Sequence, residues 1–207
     1  PQLTMVRLDL LPFIFRRLMA LYAWIKMKVE EVGLEGLLLF HSEVYSDSRG
    51  FLYERYNRDV TKRLNTTFVQ QNVSVSKAGV LRGMHWQFPP HAQGKLVTCL
   101  SGAIYDVAVD LRLKSATFGK HYATTLGGGS AKSLWIPKGF AHGFQSLEDN
   151  SVVTYSVDND FAPSFSKEFN PFDPNVGIQW PAKNPILSAK DEQAVNLQNL
   201  EPSFLFE

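Results

Sequence analysis

The sequence predicts an all-β sandwich or jelly roll with a few short helices, and three observations carry that prediction. From Leu37 onward, apolar and polar residues alternate with a period of two in short runs, which is the spacing of strands. Gly, Pro, Asn and Asp punctuate those runs, as turns require. The 207 residues, 44% hydrophobic and 13% aromatic, can fill one sizeable core, whereas at roughly 150 residues per domain two independent cores are not expected.

Taken in order, the first 26 residues stand apart. Residues 8–25 are rich in apolar side chains but include Asp9, Pro12, Arg16 and Arg17. A membrane span wants about 20 nearly uncharged residues, and a secretory signal keeps its charges ahead of the apolar run. Residues 1–26 are therefore expected to be an upstream extension, either an amphipathic helix or an expression artefact, with a single domain over 27–207. Strands are expected at 51–57, 67–76, 95–100, 103–111, 121–126, 133–137, 142–147 and 152–157. In the run 103–111, Tyr105, Val107, Val109 and Leu111 share a packing face, and Ile104, Asp106, Ala108 and Asp110 form a face that carries carboxylates. Residues 58–64 (RDVTKRL) read as a short helix, and 127–130 and 147–150 as turns. Beyond Asp158, five prolines from Pro163 to Pro185 imply loop-like chain, and a terminal helix is expected to open near Ser188.

Charge narrows the function classes. Lys+Arg number 21 against Asp+Glu 20, and no block of like charge occurs. There is no electrostatic footprint for tracking nucleic acid or an anionic membrane. Cys99 is the only cysteine, which excludes an intrachain disulfide and a thiolate zinc cluster and makes the reducing cytoplasm the expected compartment.

Two segments concentrate chemistry. In LRGMHWQFPPHAQGK (81–95), Arg82, His85, Gln87, His91 and Lys95 lie close in sequence. This combines fixed positive charge suited to phosphate with an imidazole that titrates near neutrality. Taken alone, His85 is as readily a half-buried histidine bonded to a carbonyl. In IPKGFAHGF (136–144), Pro137, Gly139 and His142 follow a P-x-G-x-x-H spacing that resembles the second signature of jelly-roll cupins. The first cupin signature supplies H-x-H in metal-binding members, and here it reads His85-Trp86-Gln87. With one histidine missing, the ligand set is too small for a tight transition-metal site, so no catalytic metal and no cofactor are expected.

Longer motifs sharpen the resemblance. DSRGFLYE (47–54), QQNVSVSKAGVLRGMHWQ (70–87), QGKLV (93–97), GAIYDVAVDLR (102–112), TFGK (117–120), LWIPKGFAHGF (134–144) and LSAKD (187–191) occur in the order found in the dTDP-4-dehydrorhamnose 3,5-epimerase family. These are metal-free cupins acting on nucleotide-linked 4-keto sugars. The resemblance implies that His85 abstracts a proton next to the ketone and that Asp191 orients its ring. It implies further that Lys95 stabilises the enolate and that Tyr155 returns a proton on the opposite face. It implies that Arg82 and Arg49 bind the diphosphate, that Glu54, Gln71 and Asn72 line the nucleotide pocket, and that His142, with Asp106 as its suggested partner, faces the sugar. It also implies a homodimer with exchanged N-terminal strands, so that Arg49 and Glu54 serve the neighbouring subunit's site. The substrate class that the resemblance implies is a dTDP-linked sugar. A single-position epimerase and a non-catalytic sugar-nucleotide binder are the alternatives, and a metal-dependent oxygenase is disfavoured by the missing H-x-H.

Each residue also has a plainer reading. Ser188 and Asp191 fit a helix capping box, Tyr155 shares a strand face with Val153 and Val157 as a core aromatic would, and Lys95 suits a solvated strand start. The chain also departs from the resembled family over 158–174: Phe161 stands where tyrosine is usual, and Lys167-Glu168 where Arg-Gly is common.

Overall fold

Two antiparallel sheets face each other across an apolar interior. The computed structural model describes residues 27–207, so the reading of residues 1–26 lies outside the described residues. The first sheet has the order β1-β2-β10-β7-β12-β5 and the second the order β13-β6-β11-β8-β9. The first comprises β1 (Lys28–Glu31), β2 (Leu38–His41), β5 (Gln70–Ser76), β7 (Lys95–Ser101), β10 (Lys132–Ile136) and β12 (Ser151–Val157). The second comprises β6 (Leu81–Gln87), β8 (Ala103–Asp110), β9 (His121–Gly127), β11 (Phe140–Ser146) and β13 (Ser166–Glu168). A separate hairpin, β3 (Val44–Asp47) and β4 (Gly50–Tyr53), carries the DSRG turn. This is the jelly roll expected from the alternation.

Three apolar clusters explain its thickness. The interior cluster takes Leu39, Val97, Leu134 and Val153 from one sheet and Ile104, Ala108, Leu126 and Phe144 from the other. A second cluster covers the outside of the β6–β11–β8 sheet, where Met84, Trp86, Val107 and Val109 meet Phe169, Ile178 and Leu205 of the C-terminal chain. A third lies outside the first sheet, with Phe40, Leu96 and Trp135 packed beneath Val60 of helix α1 (Arg58–Leu64). Both faces of β8 are consequently buried. The carboxylate face read from the sequence points into the interior, where Asp106 and Asp110 are fully buried.

Helix α1 forms where expected, with the Asn57 side chain accepting from the N–H groups of Asp59 and Val60 and a left-handed residue, Asn65, closing it. Helix α2 is a single turn, Ala189–Glu192, capped by Ser188. The proline-rich tail is irregular but not loose: short 3₁₀ turns at Pro163–Phe165, Leu197–Asn199 and Pro202–Phe204 let it follow the outside of the second sheet. Strands β1, β2, β3, β6 and β13 were not among the expected segments. They are too short or too interrupted, as by Gly83 in β6, for alternation to register. Among the described residues no helix is long and apolar enough to cross a membrane.

Candidate active site

The site is a cleft of about 870 Å³ between the two sheets, and strand β6 shows how the backbone shapes it. Arg82 and His85 are three residues apart, an odd offset that regular alternation would send to opposite faces. Opposite them, β11 advances only from Phe144 to His142, because the register shifts there. The extra residue in β6 is a bulge that turns both side chains to the cleft while Met84 and Trp86 stay in the outer core. The bulge requires glycine. Gly83 has φ +135°, and a Cβ built on it would sit 2.5 Å from the Cα of Gly143.

His85 Nε2 lies 2.6 Å from Asp191 Oδ1, and since an ionised carboxylate only accepts, the ring N–H donates. Burial pushes the Asp191 carboxyl upward, but the His85 ring, the Ser188 hydroxyl and the Gly83 N–H outweigh it and hold the group below its ordinary value. Only half of the capping box forms: the Asp191 N–H donates to Ser188 Oγ at 3.2 Å, while its carboxylate turns to the histidine. Among the described residues no protein group bonds to the other ring nitrogen of His85, which leaves a lone pair for a proton.

Lys95, at the start of β7, is 8% exposed rather than solvated. Its Nζ donates to the His85 carbonyl at 3.3 Å. Burial drives its pKa down to about 8, with the Asp106 carboxylate opposing that shift. Asp106 Oδ1 in turn accepts from His142 Nε2 at 2.7 Å, while its Oδ2 is shut off from solvent without a hydrogen-bond partner. The suggested His142–Asp106 pairing is thus present.

Tyr155 comes from β12, paired with Asn72 of β5, and reaches the cleft from the first sheet. Burial raises its phenol above the usual value and the Arg82 guanidinium partly offsets this. Arg82 spends one donor, Nε, on Ser76 Oγ at 3.1 Å, leaving the rest of its fork for an anion.

Three expected ligand contacts are not brought into this cleft. Gln71 is a correction. It is absent from the residues that line the cleft; it pairs across the sheet with Ser156, and its Nε2 donates to Ser156 Oγ at 3.1 Å. The residues that share the cleft face with Asn72 are Gln70 and Ser74, which period-two counting from Asn72 would have found. Within one chain, Arg49 and Glu54 also lie away from the cleft. Arg49 is on the β3–β4 turn, its side chain 88% exposed and paired with Asp47, and Glu54 accepts from Asn57 Nδ2 at 2.8 Å.

Gln87, in place of the second histidine of H-x-H, organises the rim. Its Nε2 donates to the carbonyls of His91 and Asp160 and its Oε1 accepts the Ala162 N–H at 2.7 Å. This fixes the segment on which Phe161, 58% exposed, lines the cleft. Among the described residues no group of three or more His, Cys, Asp or Glu is arranged to hold a metal ion. What the side chains can do is acid–base chemistry beside a buried cation, with an arginine for phosphate.

Comparison with known proteins identifies the family. The family model described as dTDP-4-dehydrorhamnose 3,5-epimerase matches residues 31–199. The dTDP-4-dehydrorhamnose 3,5-epimerase of Shigella flexneri is 42% identical over 168 residues, 80% of this chain and 93% of that protein. The dTDP-4-dehydrorhamnose 3-epimerase of Streptomyces niveus is 34% identical over 176 residues, 83% of this chain and 84% of that one. The crystal structure of dTDP-6-deoxy-D-glucose-3,5-epimerase from Legionella pneumophila, in complex with dTDP-4-keto-L-rhamnose, superposes with a TM-score of 0.84 at 36% identity, covering 88% of this chain and 98% of that one. A family match over most of the length, on a fold shared with solved relatives, means that this chain belongs to the dTDP-4-dehydrorhamnose 3,5-epimerase family.

Proposed function

We propose that the protein converts dTDP-4-dehydro-6-deoxyglucose to dTDP-4-dehydrorhamnose by inverting C3 and C5 through enolate intermediates. One observation carries the reading. His85 stands on one sheet, Lys95 and Tyr155 stand on the other, and all three line one cleft. A sugar ring lying between the walls would have a base on one face and an acid on the other, as epimerisation demands. His85 takes the proton alpha to the C4 ketone and becomes an imidazolium, which Asp191 stabilises. The electron pair moves onto the ketone oxygen, where the Lys95 ammonium meets the developing charge. Tyr155 then delivers a proton to the opposite face, and solvent restores both groups. All charge stabilisation is thereby assigned to side chains and none to a cofactor.

The nucleotide end of the substrate is assigned to Arg82 and Asn72 in the same chain and to Arg49 and Glu54 of a second copy, while His142, held by Asp106, is assigned to the sugar. Two features support a homodimer with exchanged strands. Strand β5 is a sheet edge exposing Val73 at 64% and Val75 at 58%, and the β3–β4 hairpin exposes Phe51 and Leu52 at 60% and 71%. Unpaired edges and exposed apolar side chains are what strand exchange covers. With a single cysteine, the same proposal places the reaction in the reducing cytoplasm.

Turnover of the keto sugar in deuterated water tests the assignment. Label at both C3 and C5 is expected, and His85→Asn should abolish exchange while keeping affinity for dTDP. A protein that binds dTDP but exchanges neither position is a binder, and the catalytic reading fails. Label at one position alone selects the narrower, single-position epimerase, a reading favoured by the 3-epimerase relative and by Phe161 on the cleft wall, since a missing hydroxyl alters discrimination among sugars.

A further inference from the structure

Helix α2 must deliver Asp191 to within 2.6 Å of His85, yet it is one turn long, Ala189–Glu192. A single turn has no stability of its own and must be docked. The residue before Asp191 supplies a dock. Lys190 Nζ meets Glu168 Oε2 at 2.5 Å. That oxygen is closed off from solvent and makes no directed hydrogen bond, so the contact is ionic. Glu168 ends β13, where its Cα is the antiparallel partner of His85. One ion pair therefore ties the strand lying beside the histidine to the turn that carries its carboxylate. Glu168 does not itself line the cleft, whereas Lys190 does, so Glu168 is the member whose loss leaves substrate contacts intact, and it stands where the resembled family commonly has glycine.

We propose that Glu168 and Lys190 form a positioning pair that holds Asp191 in register with His85. The inference rests on the reading of His85 as the base, and it assigns the departure at Glu168 to the catalytic dyad rather than to substrate contact. Mispositioning of a catalytic partner by a fraction of an ångström to 1 Å costs rate far more than binding.

The competing explanation is a through-space field. His85 is faced by Asp191, Glu168, Lys95, Lys190, His142 and Arg82 from five elements, so deleting any charge changes the local potential. The two single variants separate the cases. Removing a negative charge in Glu168→Gln and a positive one in Lys190→Met changes the field in opposite directions, whereas loss of positioning acts in the same direction in both. We expect kcat to fall about tenfold in each variant, with dTDP affinity of Glu168→Gln within twofold of the parent. The double exchange Glu168→Lys with Lys190→Glu should recover most of the loss. In the free protein, the downfield imidazole N–H proton resonance of the His85–Asp191 bond should weaken or vanish in both single variants and return in the exchange. That readout needs no turnover, so it remains informative if the parent proves inactive on the keto sugar. Opposite changes in kcat, an unchanged resonance in both variants, or a loss of thermal stability alone would overturn the proposal.

Discussion

Lys95 is the residue whose environment makes the sharpest demand on pH. An ammonium buried to 8% exposure is expensive, and its pKa falls to about 8 for that reason. If the charged form stabilises the enolate, kcat declines as pH rises through about 8. Tyr155 cannot set this limb, because burial moves its phenol upward instead. Lys95→Met should lower kcat by about 10²- to 10³-fold and remove the alkaline limb, measured as kcat against pH between 6 and about 9.5. A variant of unchanged pH profile would reassign the electrophile. Stability follows with the opposite sense. The folded pKa lies below the unfolded value of 10.5, so between about 8 and 10.5 the unfolded chain binds more protons and this residue makes the fold more stable as pH rises. Little of this was legible in the sequence, where Lys95 reads equally well as a solvated strand start. His85 was more visible, because arginine and lysine neighbours lie within ten residues of it.

Strands and turns were legible in proportion to their regularity. Strands β7 to β12 were expected within a few residues of their observed limits because each alternates and ends at a turn. Strand β5 alternates too, yet the usual inference from it inverts. Val73 and Val75 are exposed at the cleft's edge, while Gln70, Asn72 and Ser74 are half-buried because the space they face is a cleft and not a core. Strand β6 was illegible as a strand because its function lies in an irregularity, the bulge that brings Arg82 and His85 to one side. Gly83→Ala tests that account. The added methyl would meet the Gly143 backbone at 2.5 Å at a φ of +135°, so neither strand can relax cheaply. A loss of about 2–4 kcal/mol in unfolding free energy by denaturant titration is expected, with a collapse of kcat in the folded fraction as the histidine is re-aimed. Full activity would show that the bulge is not what aims the ring. A different kind of element links β8 to β9. Burial pushes the Asp110 carboxyl up, but the Arg112 fork and the Ser115 and Thr117 hydroxyls outweigh this and bring it down to about 2. Its stabilisation is complete above the unfolded value of 3.8 and is lost as pH falls through about 2. The pH dependence of unfolding in Asp110→Asn, compared with the parent below pH 4, reads this directly.

At the scale of the whole molecule, the single chain accounts for the reacting end of the cleft but leaves Arg49 and Glu54 outside it. The proposed exchange of N-terminal strands resolves this by making each site a product of two chains, with the β3–β4 hairpin of one copy completing the cleft of the other. That arrangement has a quantitative consequence in mixed dimers. Arg49→Ala and His85→Asn, prepared separately, should each be nearly inactive, the first through weak diphosphate binding and the second through loss of the base. Refolded together in equal amounts, half of the dimers are mixed, and in each mixed dimer one of the two sites combines an intact His85 with an intact Arg49. About a quarter of the parent activity should therefore return. If each site were built from one chain alone, every site in the mixture would carry one of the two lesions and no activity would return, whatever the oligomeric state. The measurement thus separates exchange of site residues from simple association. It also draws on features at opposite ends of legibility: a DSRG turn conspicuous in the sequence, and an unpaired β5 edge that only the sheet order reveals.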